Sequence, residues 1–377
     1  MISRLGRGAL LTKMDIKSAF RLLPVHPPDF NLLGFKLLGL YFVDKSLPMG
    51  CSYACALFEK FSSFLEWVVK HTAQRDSVVH YLDDFLFAGS KESDDSSFLA
   101  STFARICSEL GVPLANEKTV GPTSVLTYLG LEINTESMSV RIPAAKLLEL
   151  RSNILLILNK TKVTLKELQS LTGNLNFCSR AIPAARAFNR RFYDAMAGLT
   201  NPRHHVRVTS ALKEDLRLWL VFLDAFNGTS FFPEQAWTSD STLHLYTDWA
   251  FTDLMRDITF LELIPILLAF QMWTSFLTHR KLILHVDNQA LVCILNTKSS
   301  KSKRIMHILR PLVLLAMLHN VQFKSVHLSS CKNAISDSLS RQQWYRFRTL
   351  VPTADVYPSV IPAQFMKLVS DPKLMSY

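Results

Sequence analysis

The spacing of apolar and polar residues predicts an α+β region over about the first 140 positions. Helical spacing of apolar positions predicts helices over residues 53–70 and 98–110. Short apolar runs bounded by turn residues predict strands at residues 10–14 and 41–43, a β-hairpin over 78–89, and strands with a turn over 124–133. Helices separated by short strands are typical of an α+β domain.

From Pro143 onward the pattern becomes helical. Pro143 suits the first position of a helix, and Thr164 and Glu167 have the spacing of a capping box ahead of a helix over residues 165–177. An amphipathic helix is predicted over about residues 210–226, and residues 229–240 have the composition of a linker.

A second α/β unit follows this linker. Strands are predicted at residues 243–247, 282–286 and 321–328, with helices at 260–277, up to about 319, and at 333–341. The tail from Pro352 is punctuated by prolines. The predicted domains are therefore residues 1–140, 141–228 and 229–350, with a tail over 351–377.

Charge changes this picture because the chain has a net charge of +11 that is unevenly distributed. Residues 1–140 carry a net −2, residues 141–240 a net +6 and residues 241–377 a net +7. A basic excess attracts phosphate backbones through counterion release. The alternative is a surface that is basic without any nucleic-acid partner.

Two function classes are disfavoured by composition. The apolar runs are shorter than the roughly 20 residues of a membrane span, and no apolar stretch backs the basic N-terminus, so we expect neither a membrane partner nor a secretory signal. The six cysteines are scattered, which favours reduced thiols over a zinc site. We therefore expect an intracellular protein of the cytoplasm or nucleus.

Adjacent carboxylates in the predicted hairpin turn Tyr81-Leu82-Asp83-Asp84 are the strongest chemical signal. Like charges about 4 Å apart repel by about 4 kcal/mol at an effective dielectric of 20. Full solvation relieves this repulsion, and so does binding of divalent cations. Asp15 closes the strand over residues 10–14 and can face this turn across a small sheet, so the three acids could hold two Mg²⁺ ions for phosphoryl transfer.

Four further acids lie in the second α/β unit. Asp248 and Asp287 follow predicted strands, whereas Glu262 and Asp337 lie on predicted helices. Acids at strand ends and on helix faces can converge on two metal ions that activate water. Each acid taken singly is also consistent with a solvated end of a helix or strand.

Several segments resemble known motifs. Five segments resemble, in order and spacing, the successive palm motifs of reverse transcriptases, and their sequences are most similar to those of DIRS-type retrotransposons. The segments are LLTKMDIKSAFRLLPVHPPDFNLLGF, LPMG, YLDD, LGVPLANEKT and YLGLEI. HVDNQALVCILN, SKSKRIM and KNAISDSLSR resemble the ribonuclease H domain of the same elements. The resemblance implies an α+β polymerase palm with partial fingers (a partial right hand), a helical thumb or connection, and an α/β ribonuclease H-like domain.

The resemblance also implies a function and its partners. It implies an RNA-directed DNA polymerase and a nuclease for RNA–DNA hybrids, which act on an RNA template, a DNA primer and their hybrid. Both would use Mg²⁺, with Mn²⁺ as the alternative. It leaves the oligomeric state open.

Roles in the palm follow from the resemblance. Asp15, Asp83 and Asp84 are implied as metal ligands, and Phe20 as the bulky gate that rejects a ribose 2′-hydroxyl. The segment over residues 47–50, with Met49 and Gly50, is implied to lie under the template and nucleotide, and Lys118 near the incoming phosphates. A core position for Phe20 and a solvated one for Lys118 are the alternatives, and Met49 stands where many relatives carry glutamine.

Roles in the remainder follow in the same way. Asp248, Glu262, Asp287 and Asp337 are implied as metal ligands, and His327 as a proton shuttle in product release. Residues 141–207 carry 12 Lys/Arg against 3 Asp/Glu, a net +9, which suits a thumb that grips the duplex or, alternatively, a solvated helical surface. The candidates for gripping nucleic acid are Arg186, Arg190 and Arg191 in this segment, and Lys301, Lys303, Arg304 and Arg310 in the second α/β unit.

Two departures from the resemblance shape the expected activity. Fourteen residues precede Asp15, so the upstream fingers lie outside the match, and Glu262 follows Asp248 by only 14 positions, where the family has a further hairpin. We therefore expect no DNA synthesis from this chain alone and weak cutting of RNA in hybrids. A binding-only relic and a decayed reading frame are the competing interpretations.

Overall fold

The computed structural model describes residues 1–227, 230–231, 242–248, 258–278, 280–329, 332–357, 359–363 and 365. The chain divides into two compact units. Unit 1 comprises Met1–Leu147 and Asn227–Glu234, and unit 2 comprises Leu148–Phe226 and Gln235–Tyr377. The predicted linker over residues 229–240 and the predicted site of a missing hairpin, residues 249–257, lie mostly or wholly outside the described residues.

Unit 1 contains short strands and three helices. Its strands are β1 (Leu10–Asp15), β2 (Gly34–Leu37), β3 (Leu40–Val43), β4 (Val78–Tyr81), β5 (Asp84–Gly89), β6 (Val120–Thr123), β7 (Val125–Tyr128), β8 (Leu131–Asn134), β9 (Ser139–Arg141) and β12 (Ser230–Phe231). Its helices are α1 (Ile2–Leu5), α2 (Ala54–Ala73) and α3 (Asp95–Glu109), with short 3₁₀ helices at Ala19–Leu22, Pro27–Leu33 and Asn116–Lys118. Helix α4 (Ala144–Leu158) begins in unit 1 and continues into unit 2.

The central sheet of unit 1 has the strand order β4-β5-β1-β6 and is antiparallel throughout. One face packs on α2 and α3, where Phe58, Phe85 and Phe103 are fully buried in a large apolar cluster. The other face carries a smaller cluster that includes Leu11 and Leu86. Cover on both faces explains why β5 is apolar without alternation after its first residue.

Gly121 allows β6 to approach β1 closely. Its φ is +119°, and a Cβ atom there would lie 2.3 Å from the carbonyl oxygen of Leu11. Any other residue would push β6 away from β1. A second sheet has the order β12-β9-β8-β7, and β2 and β3 form a separate hairpin with exposed side chains.

The first part of unit 2 is helical around a small two-stranded sheet. Its helices after α4 are α5 (Leu165–Cys178), α6 (Arg190–Met196) and α7 (Ser210–Ala225), with a 3₁₀ helix at Pro183–Phe188. Strands β10 (Lys162–Thr164) and β11 (His205–Arg207) pair antiparallel. The core includes Trp219 and Phe222 on α7, both fully buried.

The second part of unit 2 is a parallel sheet with helices. Strands β13 (Thr242–Tyr246), β14 (Lys281–Val286) and β15 (Gln322–His327) pair in that order, and all pairs are parallel. The helices are α8 (Ile258–Met272), α9 (Thr274–Leu277), α10 (Gln289–Thr297), α11 (Lys303–Leu318), α12 (Ala334–Ser340) and α13 (Trp344–Leu350). Helix α8 is apolar around most of its circumference and is largely buried, as such helices are.

Most predicted elements are confirmed with shifts of a few residues at their ends. The predicted capping box is present, since the Thr164 side chain accepts from the Glu167 backbone N–H and Glu167 accepts from the Thr164 backbone N–H. The helix predicted over residues 260–277 is divided into α8 and α9. No helix in the described part of the chain is long and apolar enough to span a membrane.

Candidate active sites

The three palm acids meet at one end of the central sheet of unit 1. Asp15 is the last residue of β1 and pairs across the strands with Asp84, the first residue of β5. Asp83 precedes Asp84 in the turn that joins β4 to β5, and its carbonyl oxygen accepts from the backbone N–H of Ile16 at 3.1 Å. The strand register therefore brings the predicted residues together.

Two lysines balance the charge of this cluster. The Lys118 ammonium lies 3.1 Å from both carboxylate oxygens of Asp15, and the Lys13 ammonium lies 3.1 Å from Oδ1 of Asp84. Lys13 and Asp15 are two residues apart on β1, so their side chains lie on the same face of the sheet. Asp15 raises the pKa of Lys118 by accepting its hydrogen bonds, which keeps that ammonium charged.

Asp83 is the palm acid whose environment disfavours charge. Partial burial raises the pKa of its carboxyl group, and the negative charges of Asp15 and Asp84 raise it further. The three acids therefore interact electrostatically, and within the described residues Asp83 is the one that forms no ion pair with a lysine.

The turn that carries Asp83 has an unusual backbone. Leu82 is held at φ +53°, in the left-handed region. A two-residue hairpin turn requires positive φ, for which glycine, asparagine or aspartate is the usual residue. A bulky residue in such a conformation stores strain of about 1–3 kcal/mol, and strained residues cluster at functional sites. The hydroxyl of Tyr128 donates to the backbone carbonyl of Asp84 at 3.0 Å and so braces the strand beside the turn.

The predicted nucleotide contacts occupy different environments. Phe20 lies in a 3₁₀ helix and packs against Phe58 with ring centroids 5.1 Å apart, which favours the alternative of a core aromatic, although its side chain is only partly buried. Met49 is 74% exposed. Gly50 follows it with φ +91°, a conformation that favours glycine.

The second set of acids lies at the carboxyl ends of parallel strands. Asp248 lies two residues after the end of β13, and Asp287 directly follows β14. Tyr246 of β13 pairs with His285 of β14, so two residues further along each strand the same register sets Asp248 beside Asp287. Glu262 lies on α8 and is only 8% exposed. The structure brings these three acids together, as predicted.

Glu262 has the most strongly perturbed carboxyl group of this set. Burial raises its pKa to about 8, and the charges of Asp287 and Asp248 contribute to the shift. Burial and the charge of Asp248 also raise the pKa of Asp287. Glu262 Oε2 and Asp287 Oδ1 are buried without a hydrogen-bond partner among the described residues, as is Oδ1 of Asp84 in the palm. Unlike Asp84, neither Glu262 nor Asp287 forms an ion pair with a lysine in the described part of the chain.

Asp337 and His327 lie at the margin of this cluster. The carboxylate of Asp337 accepts from Nε of Arg341 at 2.6 Å and lies 3.8 Å from the guanidinium group of Arg346. The Ser340 hydroxyl donates to Asp248 at 2.9 Å and so connects α12 to the cluster. His327, at the end of β15, donates from Nε2 to the backbone carbonyl of Asp287 at 3.2 Å and is exposed.

The basic residues predicted to grip nucleic acid fall into two groups. Arg186 and Arg190 line a recess, together with Tyr193 and three other residues. Arg191 instead donates to the carbonyl of Ala211 at 3.0 Å and forms ion pairs with Glu214 and Asp215.

Arg310 is buried rather than available to a ligand. Two of its guanidinium nitrogens donate to the two carboxylate oxygens of Asp215, which is fully buried, and its guanidinium group lies 4.8 Å from the Phe188 ring centroid. The expectation that Arg310 grips a hybrid is wrong, because the guanidinium group is consumed by an internal ion pair.

The remaining basic candidates surround the start of α11. Lys301 and Lys303 are exposed, whereas Arg304 is partly buried with its guanidinium group 4.1 Å from the Phe260 ring centroid. Lys301 and Lys303 are therefore better placed than Arg304 to contact a ligand.

The donor sets differ in how well they suit a divalent cation. Carboxylate oxygens are the ligands that Mg²⁺ and Mn²⁺ prefer. Within the described ranges, no group of three or more His, Cys, Asp or Glu side chains is arranged to hold a metal ion. Glu262 and Asp287 nevertheless fit a cation, because they carry unsatisfied buried oxygens. In the palm the carboxylate ligands suit a divalent cation, but two of the three carboxylates already form ion pairs with lysines.

Sequence reasoning missed three contributors to these regions. Lys13 was detectable from its i, i+2 spacing to Asp15 on a predicted strand. Asp215 was detectable as an acid among apolar positions of an amphipathic helix, a placement that requires a buried partner. Tyr128 was not detectable, because its contact with Asp84 depends on tertiary packing.

The chain has a polymerase palm fold of the mixed α/β class. Residues 1–133 match the family described as reverse transcriptase (RNA-dependent DNA polymerase). The chain is similar to the Gag-Pro-Pol polyprotein of Simian retrovirus SRV-1, with 27% identity over 223 residues, which cover 56% of this chain and 11% of the polyprotein. It is also similar to the genome polyprotein of Petunia vein clearing virus (isolate Shepherd), with 27% identity over 184 residues, covering 48% of this chain and 8% of that polyprotein.

Among solved structures, the chain is similar to the foamy viral protease-reverse transcriptase in complex with an RNA/DNA hybrid. The TM-score is 0.50 at 17% identity, and the match covers 96% of this chain and 48% of that one. The chain thus spans about a tenth of the length of the polyproteins that it matches, and at this identity the structural likeness shows the fold alone.

Proposed function

We propose that the palm cluster is a nucleotidyl-transfer site for RNA-directed DNA synthesis. The observation that carries this proposal is the strand register, which sets Asp15 opposite Asp84 with Asp83 in the adjoining turn. A divalent cation held by these carboxylates would activate a primer 3′-hydroxyl and neutralise the triphosphate. An RNA template and a DNA primer are the substrates that this function requires.

The side chains around the cluster suit this role. Lys118 is more than half exposed and reaches Asp15, so the same ammonium can hold a triphosphate oxygen when the acids are otherwise ligated. Lys13 keeps Asp84 in place from the neighbouring strand. Exposed Met49 and Gly50 leave an open surface for a template base, and the partly buried Phe20 is the candidate for the gate against the 2′-hydroxyl.

Binding of Mn²⁺ tests the palm site directly. We expect the full chain to bind Mn²⁺ with a component, measured by electron paramagnetic resonance, that disappears in Asp83→Asn. Asp76→Asn is the matched control, because Asp76 is an exposed acid of the same unit outside the cluster. If Asp83→Asn binds Mn²⁺ as the wild type does, the palm cluster is not a cation site.

We propose a second activity, hydrolysis of RNA in RNA–DNA hybrids, at the acids of unit 2. The observation that favours it is the pair of buried oxygens on Glu262 and Asp287, beside Asp248, that have no hydrogen-bond partner among the described residues. A divalent cation there would activate the attacking water. Glu262 and Asp287 would hold it, Asp248 would complete the set with Asp337 on α12, and exposed His327 could carry a proton to or from the departing product.

A cleavage assay separates the two proposals. With a labelled RNA strand in a hybrid and Mg²⁺ or Mn²⁺, cutting should fall at least a hundredfold in Asp287→Asn, because a misplaced or missing ligand costs about that much. Asp83→Asn should cut as the wild type does. Cutting that persists in Asp287→Asn would contradict the assignment to unit 2.

The wider assignment also belongs here. We propose that the chain derives from a retroelement polyprotein, with palm, thumb or connection, and ribonuclease H-like domains over residues 1–140, 141–228 and 229–350. The sequences of its motifs support a DIRS-type element. The alternative is a folded but catalytically inactive relic that binds nucleic acid. Sequencing the frame upstream of Met1 in the source genome tests the origin.

A further inference from the structure

A polar recess lies in unit 2, lined mostly by residues of its first, helical part. Its volume is about 360 Å³, and its lining consists of Asn176, Arg186, Asn189, Arg190, Tyr193 and Ser299. Ligand pockets typically start at about 300 Å³. The recess is therefore large enough for one nucleotide unit and larger than a lone phosphate requires.

The recess contains cationic donors with unused capacity. Arg186 is exposed, and its guanidinium group has no hydrogen-bond or ion-pair partner within the described residues. Arg190 is paired at one end only, where its Nη2 lies 2.8 Å from Oδ1 of Asp194. Its Nε is buried and has no hydrogen-bond partner in the part of the chain that is described. A buried guanidinium N–H without an acceptor indicates a place for a ligand oxygen.

The frame of the recess is fixed by buried hydrogen bonds. Asn189 is only 2% exposed, and its side-chain oxygen accepts from the indole N–H of Trp219 at 3.0 Å. Its amide nitrogen donates to the hydroxyl of Ser179 at 3.3 Å. Because Asn189 directly precedes Arg190, these contacts hold the arginine backbone in place before any ligand arrives. Tyr193 is 44% exposed and adds an aromatic side chain to the lining of the recess.

Neighbouring Arg191 does not take part. It is committed to Asp215 and Glu214 and to a backbone carbonyl, so it cannot also hold an external anion without breaking that network. The structure thus separates three arginines that the sequence groups together. Two of them face a recess, and the third stabilises the interior.

We propose that this recess binds one nucleotide unit of a nucleic-acid strand. Its phosphate lies between the guanidinium groups of Arg186 and Arg190, and its sugar or base lies against Tyr193. Guanidinium groups match phosphate oxygens by charge and by their forked donors, and aromatic rings accept any base by stacking. The inference deepens the proposed function, on which it rests, by assigning a backbone contact far along the chain from the acids.

The test compares arginine-to-glutamine substitutions inside and outside the recess, each of which removes one positive charge from the full chain. Binding of a fluorescein-labelled RNA–DNA hybrid is measured by anisotropy over a range of salt concentrations. Arg186→Gln and Arg190→Gln should each weaken binding about tenfold and reduce the log–log salt slope by about one, the change expected for loss of one phosphate contact. Arg203→Gln, at an exposed arginine outside the recess, should change affinity less than about twofold.

The aromatic wall is tested separately. Tyr193→Ala should weaken binding without changing the salt slope, whereas Tyr193→Phe should bind as the wild type does. Adenosine monophosphate in large excess should fail to displace the hybrid. Displacement by it would overturn the proposal of a strand site in favour of a free-nucleotide site.

The possible failures are distinguishable. If the wild type binds the hybrid and Arg186→Gln behaves like Arg203→Gln, the recess is not a phosphate site, while the proposed function stands. If the wild type does not bind at low salt, both are overturned. Arg186 is exposed, so its substitution should leave the circular dichroism spectrum unchanged, and binding loss by a folded variant supports the proposal.

Discussion

The two acid clusters of this chain solve the same electrostatic problem in different ways. In the palm, Lys118 and Lys13 neutralise Asp15 and Asp84. In unit 2, buried Glu262 and half-buried Asp287 lie beside Asp248 and form no ion pair with a lysine among the described residues, and the pKa of Glu262 rises to about 8. Charge repulsion is thus relieved by ion pairing in one cluster and by retention of a proton in the other.

This difference indicates how each cluster should respond to a divalent cation. In the palm a cation competes with two ammonium groups that already occupy the carboxylates. In unit 2 it replaces a proton on a carboxyl group that is otherwise poorly solvated. We therefore expect cation binding to stabilise unit 2 more than the palm.

Among the acids compared, Asp215 depends most on ion pairing, because it is fully buried and paired with the always-charged guanidinium groups of Arg310 and Arg191. Arg310→Met should lower the free energy of unfolding by about 3–5 kcal/mol, since it leaves a buried carboxylate without its main partner. Urea denaturation followed by circular dichroism measures the change. Arg203→Met, at an exposed arginine of the same unit, is the control and should cost less than about 0.5 kcal/mol. A loss below about 1 kcal/mol for Arg310→Met would show that the ion pair is not structural.

Cation-dependent stability distinguishes the two clusters next. At a Mn²⁺ concentration about a hundred times its dissociation constant, the wild type should gain about 2.7 kcal/mol. Asp287→Asn should remove most of this gain, because it removes a ligand of the cluster that lacks lysines. Asp83→Asn should retain most of it. The reverse ranking in thermal denaturation would refute the proposed difference.

The pH dependence of stability provides a third measurement. In the folded, cation-free protein the raised pKa of Glu262 means that its carboxyl group holds a proton that the unfolded chain releases above pH 4.5. Its contribution to stability is therefore greatest below pH 4.5 and is lost as pH rises toward about 8.

Glu262→Gln should remove this dependence, because glutamine does not titrate. In the presence of EDTA the variant should be about as stable as the wild type at low pH and more stable, by about 1–2 kcal/mol, at pH values above the folded pKa. Melting temperatures of both proteins across this range test the expectation. Parallel profiles would mean that Glu262 does not carry the shift.

The smallest effect is expected for the lysine pair of the palm. A double-mutant cycle of Lys13→Met and Asp84→Asn should give a coupling of about 1 kcal/mol, the upper range for a partly exposed ion pair. Lys17→Met, an exposed lysine on the same segment, should show no coupling with Asp84→Asn. Zero coupling for Lys13 would mean that the ion pair does not hold the acid in place.

Sequence patterns predicted the elements that position the acids because these elements have strong local signals. The hairpin over residues 78–89 appears as β4 and β5 with the acids at its turn, and the strand predicted at residues 10–14 appears as β1 extended to Asp15. The helix predicted after Thr164 begins at Leu165, and the predicted capping box is present. In each case a few neighbouring residues determine the structure.

The elements and contacts that were missed depend on distant partners. Strands β6 and β10 are short and have little apolar alternation, so they are defined only by the strands they join. Arg310 and Arg191 are residues typical of a phosphate-binding surface, yet both form ion pairs with Asp215 instead. The sequence contains the three residues but does not indicate that they meet.

The ion pair of Asp215 and Arg310 also constrains how this protein can change over generations. Loss of either residue alone leaves a buried charge, so a lineage that drops one must pass through a poorly folded ancestor unless the other changes at nearly the same time. Two residues 95 positions apart should therefore be inherited or replaced together. In a collection of copies, those that carry only one of the two would be the copies whose second unit has ceased to fold.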